Sequence, residues 1–229
     1  MSQSNQLSQQ AAEVAQVIES ADSDSVALAV FSGLIAYSES FITKSGLQAL
    51  IQRNVPPAKL HEIVLQSYLF CGFPRMLDAL FDLSVTVEAE TYIAADSLDC
   101  SHLAYSEEES EEYERRGRDL IRLIYGDRYR KLEEAITRMS PEVFRLMIME
   151  GYGKTLSRPG LDTETRELAV IAALTVDRRP RQLRAHLRGA KNVGVDPGAL
   201  NELLQALETF TPSEHISIAA NMLAEVSAE

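Results

Sequence analysis

Displaced against itself by 140 residues, the chain lays LAVFSGL (28–34) on LAVIAAL (168–174). The register then runs without a gap until PPAKLHEI (56–63) lies over DPGALNEL (196–203). Leu47/Leu187, Val55/Val195, Pro57/Pro197 and Glu62/Glu202 are identities along the way. Several of these are common helix residues, and it is the absence of any gap that carries the argument. One helical unit is written twice, in degenerate form.

Local signals agree that the unit is helical. Ser140-Pro141, Asp196-Pro197 and Thr211-Pro212 each place a capping residue before a proline, which suits a first turn whose N–H would be orphaned anyway. Glu214 stands where it would complete a capping box with Thr211, and Asp162 and Ser106 read as further N-caps. Apolar residues follow at helical spacing, as in Val143, Leu146 and Met147 or Leu200, Leu203, Leu204 and Leu207. The best alternating pattern, Leu83 to Val87, stands alone. The expectation is an all-α protein of about ten to twelve helices. Its parts would be an N-terminal helical arm (1–23), a first, degenerate unit (24–83), a linker with an acidic run (84–111) and a second unit (112–229).

With 229 residues and 45% hydrophobic content, the chain can bury a full core, which excludes wholesale disorder, a collagen-like repeat and a disulfide scaffold. Its 22 Lys and Arg face 34 Asp and Glu, a net charge of −12, so a broad basic surface for nucleic acid is not expected. Cys71 and Cys100 form no CxxC and read as thiols of a reducing cytoplasm. The N-terminus lacks the charged and apolar regions of a secretory leader. The longest uncharged stretch, 25–38, falls short of the roughly 18–20 residues of a membrane span. A cytoplasmic protein without membrane contact is therefore expected. The acidic run 107–114, followed by Arg115, Arg116 and Arg118, reads either as a solvated helix start or as a docking site for a basic partner.

Five arginines and a lysine crowd residues 177–191 of this acidic chain. A helix starting near Pro180 would put Leu183, His186, Leu187 and Ala190 on one stripe, with Arg181, Arg184 and Arg188 beside it. The preceding helix, from about 163 to 176, would carry Glu167 at the head of a stripe formed by Val170, Ile171 and Leu174. An inward carboxylate and an inward imidazole on consecutive helices can exchange a proton near neutral pH. The bland readings are a satisfied core histidine, a Glu167 paired with Arg166 or Arg188, and arginines that are solvated or bridge to acidic surfaces. Clustered guanidinium groups without interleaved aromatics suit a small carboxylate better than a nucleic acid. No dinucleotide or phosphate-binding loop is present, no zinc spacing among His61, His102, His186 and His215, and no serine elbow.

The segment GYGKTLSRPGLD (151–162), then RELAVIAAL, QLRAHLRGA and the turn at Gly194, resembles the carboxymuconolactone decarboxylase family. RRGRDLIRLIYGDRY (115–129) looks like that family's N-terminal leader. The first unit resembles the family's C-terminal half, HEIVLQSYLFCGFPRMLDAL (61–80) carrying its glutamate, tyrosine and Gly-Phe-Pro signature. The two matches cover roughly 24–82 and 112–210. Family members are typically single units, whereas this chain is a tandem.

The resemblance implies an AhpD-like helical bundle, shared with the alkylhydroperoxidase D proteins and assembled as a homo-oligomer. Those peroxidases use a glutamate, a CxxC pair and a histidine. Glu167 and His186 keep the spacing of the outer two, but Arg179 and Gln182 stand at the cysteine positions. A thiol cycle needs an activated thiolate and a resolving partner, so thiol peroxidase activity is not expected; Cys71 is the one thiol that could revive it.

The decarboxylase branch needs no cofactor. For it His186 is the proton donor, Glu167 its orienting or proton-relay partner, Arg179 with Arg184 or Arg158 the receptor for a substrate carboxylate, and Gln182 a hydrogen-bond donor to a lactone carbonyl. Tyr68 and Phe73 of the signature would line the same site. The first unit has Ala27 and Gly46 where the second has Glu167 and His186, while only the first keeps the 68–74 signature. That complementary loss suggests one composite site. The expected ligand is a small anionic organic acid or lactone; the alternative is an AhpD-like helical assembly or binding protein whose chemistry has drifted.

Overall fold

The computed structural model describes residues 3–88, 91–92 and 105–229, and Cys100 and His102 lie outside these. Among the described residues there are eleven α-helices, a 3₁₀ turn at Gly126–Arg128 and a π-helical segment, and no strand. They form two compact units: Met1–Ile93 with Gly160–Glu229, and Ala94–Pro159.

At the centre of the larger unit lie α2 (Asp24–Tyr37) and α8 (Thr163–Val176), packed on each other. The uncharged stretch that is too short to cross a membrane is α2. Eleven of its residues in a row, Val26 to Ala36, are buried, which is what a helix apolar on all sides requires. Ser23 caps it at Val26 N, and Asp162 caps α8 at Thr165 N with 2.7 Å. No described helix is long and apolar enough to cross a membrane.

Around this pair stand α3 (Ser40–Gln52), α4 (Pro57–Thr86), α9 (Pro180–Val193), α10 (Pro197–Leu207) and α11 (Ser213–Ala228). Helix α1 (Gln3–Ser20), expected as an arm, packs along α3, with Val14 and Ile18 fully buried in the common core. Each such aliphatic side chain contributes about 1.5–3 kcal/mol by leaving water, so α1 is a structural member of the unit.

Element bounds and backbone irregularities recur at the same spacing as the sequence. Helices α3 and α9 begin at Ser40 and Pro180, and α4 and α10 at Pro57 and Pro197. Positive φ occurs at Ser38 and Arg178 (62° and 53°) and again at Asn54 and Gly194 (61° and 90°). After the second pair the same bond closes the helix, Val55 N to Leu50 O at 3.0 Å and Val195 N to Ala190 O at 2.9 Å. Ser25 and Thr165, themselves 140 apart, meet at 2.7 Å through their hydroxyl oxygens.

Helix α4 is two segments joined at Gly72, whose φ of 81° and ψ of 163° interrupt the helix. Glycine reaches that conformation without strain, and Pro74 fits the start of the segment that follows. The Gly-Phe-Pro signature is therefore a joint. The alternating run 83–87 that looked most strand-like mostly belongs to its last turn, held as helix by Ala79 and Leu83 facing the core at i, i+4. One local expectation fails. Thr211 and Glu214 form no capping box: α11 begins after Pro212 without a side-chain cap, Thr211 Oγ1 is buried with no partner among the described residues, and Glu214 pairs with Arg178.

In the smaller unit α5 (Glu107–Tyr125) starts in a full capping box, Ser106 with Glu109, and its acidic run lies at the positive end of the helix dipole. Arg115 and Arg118 then bond back to Glu112 and Glu114, as a solvated helix start would. A 3₁₀ turn, Gly126–Arg128, leads into α6 (Tyr129–Met139). Helix α7 (Pro141–Leu146) is capped by Ser140 and runs into the π-helical Met147–Leu156, which crosses α5 at backbone contact. A Cβ on Gly117 would lie 2.2 Å from Ile148 O.

Candidate functional site

Glu167 sits one turn into α8 and His186 in the middle of α9, so the turn between the helices brings the two side chains face to face. His186 Nδ1 donates to Glu167 Oε2 at 3.0 Å, with only 1% of Glu167 and 5% of His186 exposed. A carboxylate can only accept, so the bond orients the imidazole through Nδ1 and turns Nε2 away from Glu167. A buried carboxylate is tolerated here because the imidazole meets it.

The third side chain comes from α4. Phe70 places its ring at 85° to the imidazole, centroids 5.6 Å apart. It lies in the same signature stretch as Tyr68 and Phe73, the two rings to which the resemblance points. Those two rings lean on each other, 5.2 Å between centroids, and Phe73 is exposed.

Next along α4, Arg75 Nη1 donates to Asp177 at 2.6 Å, tying the segment after the joint to the C-terminus of α8. Cys71 is caught between. Burial pushes its thiol up to about 11, Asp177 adds to the rise and Arg75 opposes it. At neutral pH Cys71 is a thiol, not the thiolate a peroxidase cycle starts from.

The arginine cluster is largely engaged. Arg178 pairs with Glu214, Arg184 with Glu225 at 2.6 Å and Arg188 with Glu229, so three arginines fasten α11 across the base of α8 and α9. Arg179 is exposed and touches Asp177 only at 3.5 Å. Gln182 is also exposed. Arg158 belongs to the smaller unit, just beyond its π-helical segment.

A buried network beside the pair was not anticipated. Arg166, 2% exposed, donates to Glu62 at 2.8 Å and to Gln66 at 3.0 Å, and Gln66 returns a bond to the Arg166 carbonyl at 3.4 Å. Glu62 and Gln66 are i, i+4 neighbours on an otherwise apolar face of α4, and that was the signal available in the sequence. The network binds α4 to the turn of α8 that carries Glu167.

The positions 140 residues before the pair look quite different. Ala27 and Gly46 stand there, and a Cβ on Gly46 would lie 2.4 Å from Leu34 Cδ1 and 3.1 Å from Ile18 Cδ1. Apolar packing by α1 and α2 fills the space that an imidazole occupies on α9. Among the described residues no group of three or more His, Cys, Asp or Glu side chains is placed to hold a metal ion.

Comparison with known proteins bears on this same region. Residues 141–223, which hold Glu167, His186 and the arginine cluster, match the carboxymuconolactone decarboxylase family. A 4-carboxymuconolactone decarboxylase of Acinetobacter baylyi is 37% identical over 75 residues, which is 33% of this chain and 56% of that protein. The chain thus spans little more than half the length of the curated relative it matches.

Proposed function

We propose that the chain is a carboxymuconolactone decarboxylase-like lyase, acting without a cofactor on a small carboxylated lactone or related organic acid. The observation that carries this reading is the buried His186–Glu167 pair at 3.0 Å, inside the segment that matches the family. In the reaction the bond from the substrate carbon to its carboxylate breaks and carbon dioxide leaves. The electron pair is held on the conjugated lactone carbonyl, and a proton delivered from His186 Nε2 completes the new C–H bond. Glu167 positions the imidazole through Nδ1 and stabilises its protonated form. Arg179, exposed and only loosely tied to Asp177, is the receptor for the substrate carboxylate, with Gln182 one turn on.

The same reading makes the chain a tandem of two related units with one composite site, to which the first supplies Phe70 and the second the acid–base pair. Helix bounds and positive-φ residues recurring 140 apart support it, as does the apolar filling at Gly46. It includes the homo-oligomer that the resemblance implies. The second reading, a drifted assembly or binding protein, draws on the engagement of Arg184 with Glu225 and of its neighbours with other carboxylates of α11.

A spectrophotometric decarboxylation assay with 4-carboxymuconolactone, run beside His186→Gln, separates the two. Turnover in the wild type and its loss of at least about a hundredfold in a variant of unchanged melting temperature is the expected result. A folded wild type without turnover leaves the binding reading.

A further inference from the structure

The segment of α4 after its joint carries Phe73, Leu77, Phe81 and Val85 at strict four-residue spacing, and all four face solvent, 61%, 53%, 65% and 61% exposed. Four-residue steps keep them on one stripe about 18 Å long. Helix α11 offers an internal control, because it lies 140 residues further on. The buried residues correspond closely: Met76 with Ile216, Ala79 with Ala219 and Leu83 with Leu223. The exposed ones do not: Ser213, Ser217, Asn221 and Glu225 stand in place of Phe73, Leu77, Phe81 and Val85. Holding such a helix on the core does not call for the stripe.

We propose that a second copy of this chain covers it, the two α4 segments pairing antiparallel about a two-fold axis. The inference takes the homo-oligomer of the reading above and assigns its surface. Three observations favour a copy of the chain over a foreign partner. The stripe is self-complementary: an axis midway along it sets Phe73 against the partner's Val85 and Leu77 against the partner's Phe81, so each ring meets an aliphatic side chain and each contact occurs twice. The four side chains hold on the order of 450 Å² of apolar surface in water, about half of the ~800 Å² that each partner of a standard interface buries. That is the share expected of an interface core, with Pro74, Ser84 and Asp78 at the rim. The stripe also carries no charge, so two chains of net charge −12 can meet there without burying carboxylates.

Sedimentation of the full chain at micromolar concentration tests the proposal against Leu77→Ser/Phe81→Asn, which borrows the residues of α11. The wild type is expected to sediment as a dimer or a multiple of one. The variant's dissociation constant should rise by about a hundredfold or more, with helical content and melting temperature kept. A monomeric wild type overturns both the surface and the homo-oligomer; a variant that stays assembled overturns the surface alone. Should the variant lose its fold, Leu77→Cys/Phe81→Cys in a Cys71→Ser/Cys100→Ser background replaces it. A short bismaleimide then links two chains if the stripes pair, and failure to link them overturns the proposal.

Discussion

Phe70 stands edge to face with His186, so the aromatic neighbour of the candidate proton donor comes from a helix remote in sequence from both members of the acid–base pair. The contact follows from the joint at Gly72, which lets the first segment of α4 end against α9 while the second runs on along the core. Phe70→Leu keeps apolar volume but loses the planar wall beside the imidazole. On the proposed reaction it should lower kcat by roughly ten- to a hundredfold with a smaller change in KM, and leave the melting temperature nearly unchanged. A rise in KM with kcat unchanged would make Phe70 a binding residue instead.

Glu167 is held in place by one imidazole, and each side chain is the other's answer to burial. Glu167→Ala leaves a buried Nδ1–H without an acceptor, a loss of about 1–3 kcal/mol in denaturant unfolding. Glu167→Gln keeps an acceptor oxygen at the same reach and should recover most of that stability. Turnover should not recover, because a neutral amide cannot stabilise an imidazolium as a carboxylate does. Rescue of stability without rescue of kcat is the signature of a pair retained for chemistry.

What the sequence made legible was whatever depends on local spacing. The helix of residues 163–176 and its successor from Pro180 were readable from caps and apolar periodicity, and they alone bring Glu167 to His186. What escaped depends on tertiary geometry. Nothing in the order of residues distinguishes Phe70 from Phe73 as the ring that meets the imidazole, because the break at Gly72 rotates everything after it. Nor does composition show that Arg184 and Arg188 answer Glu225 and Glu229 of a later helix. The Thr211–Glu214 capping box failed for a related reason. Arg178 captures Glu214, and the carboxylate it would have used is spent on an ion pair.

Gly46 is packed too closely to hold the residue that stands 140 positions further on. Placing the residue found on α9 there, as Gly46→His, forces an imidazole into the space of Leu34 and Ile18, both fully buried. Overpacking of that kind costs at least about 1–3 kcal/mol, and an imidazole without a carboxylate at Ala27 adds its own desolvation. Chemical denaturation should show a loss of roughly 3 kcal/mol or more. Gly46→Ala should lie near zero, the gain of about 1 kcal/mol in helix propensity offsetting the shift it imposes on Leu34. A stable Gly46→His would mean that the pocket is open.

Cys71 supplies a pH test. Its thiol, raised to about 11 from an ordinary value of 9.0, holds its proton in the folded chain over a range where the unfolded chain has begun to lose it. The folded state then binds more protons, so stability falls as pH rises from about 9 and levels off above about 11. Below pH 9 the contribution is fully present. Cys71→Ser should flatten that part of the stability profile. The same shift cuts the thiolate fraction at pH 8 about a hundredfold, so in a Cys100→Ser background a maleimide or disulfide probe should label the native protein about a hundred times more slowly than a free thiol. Asp177→Asn removes the charge that adds to the rise while Arg75 remains, and labelling should speed up. Labelling that is fast in the native protein and indifferent to Asp177 would place a reactive thiol at Cys71 and reopen the thiol chemistry that the missing CxxC argues against.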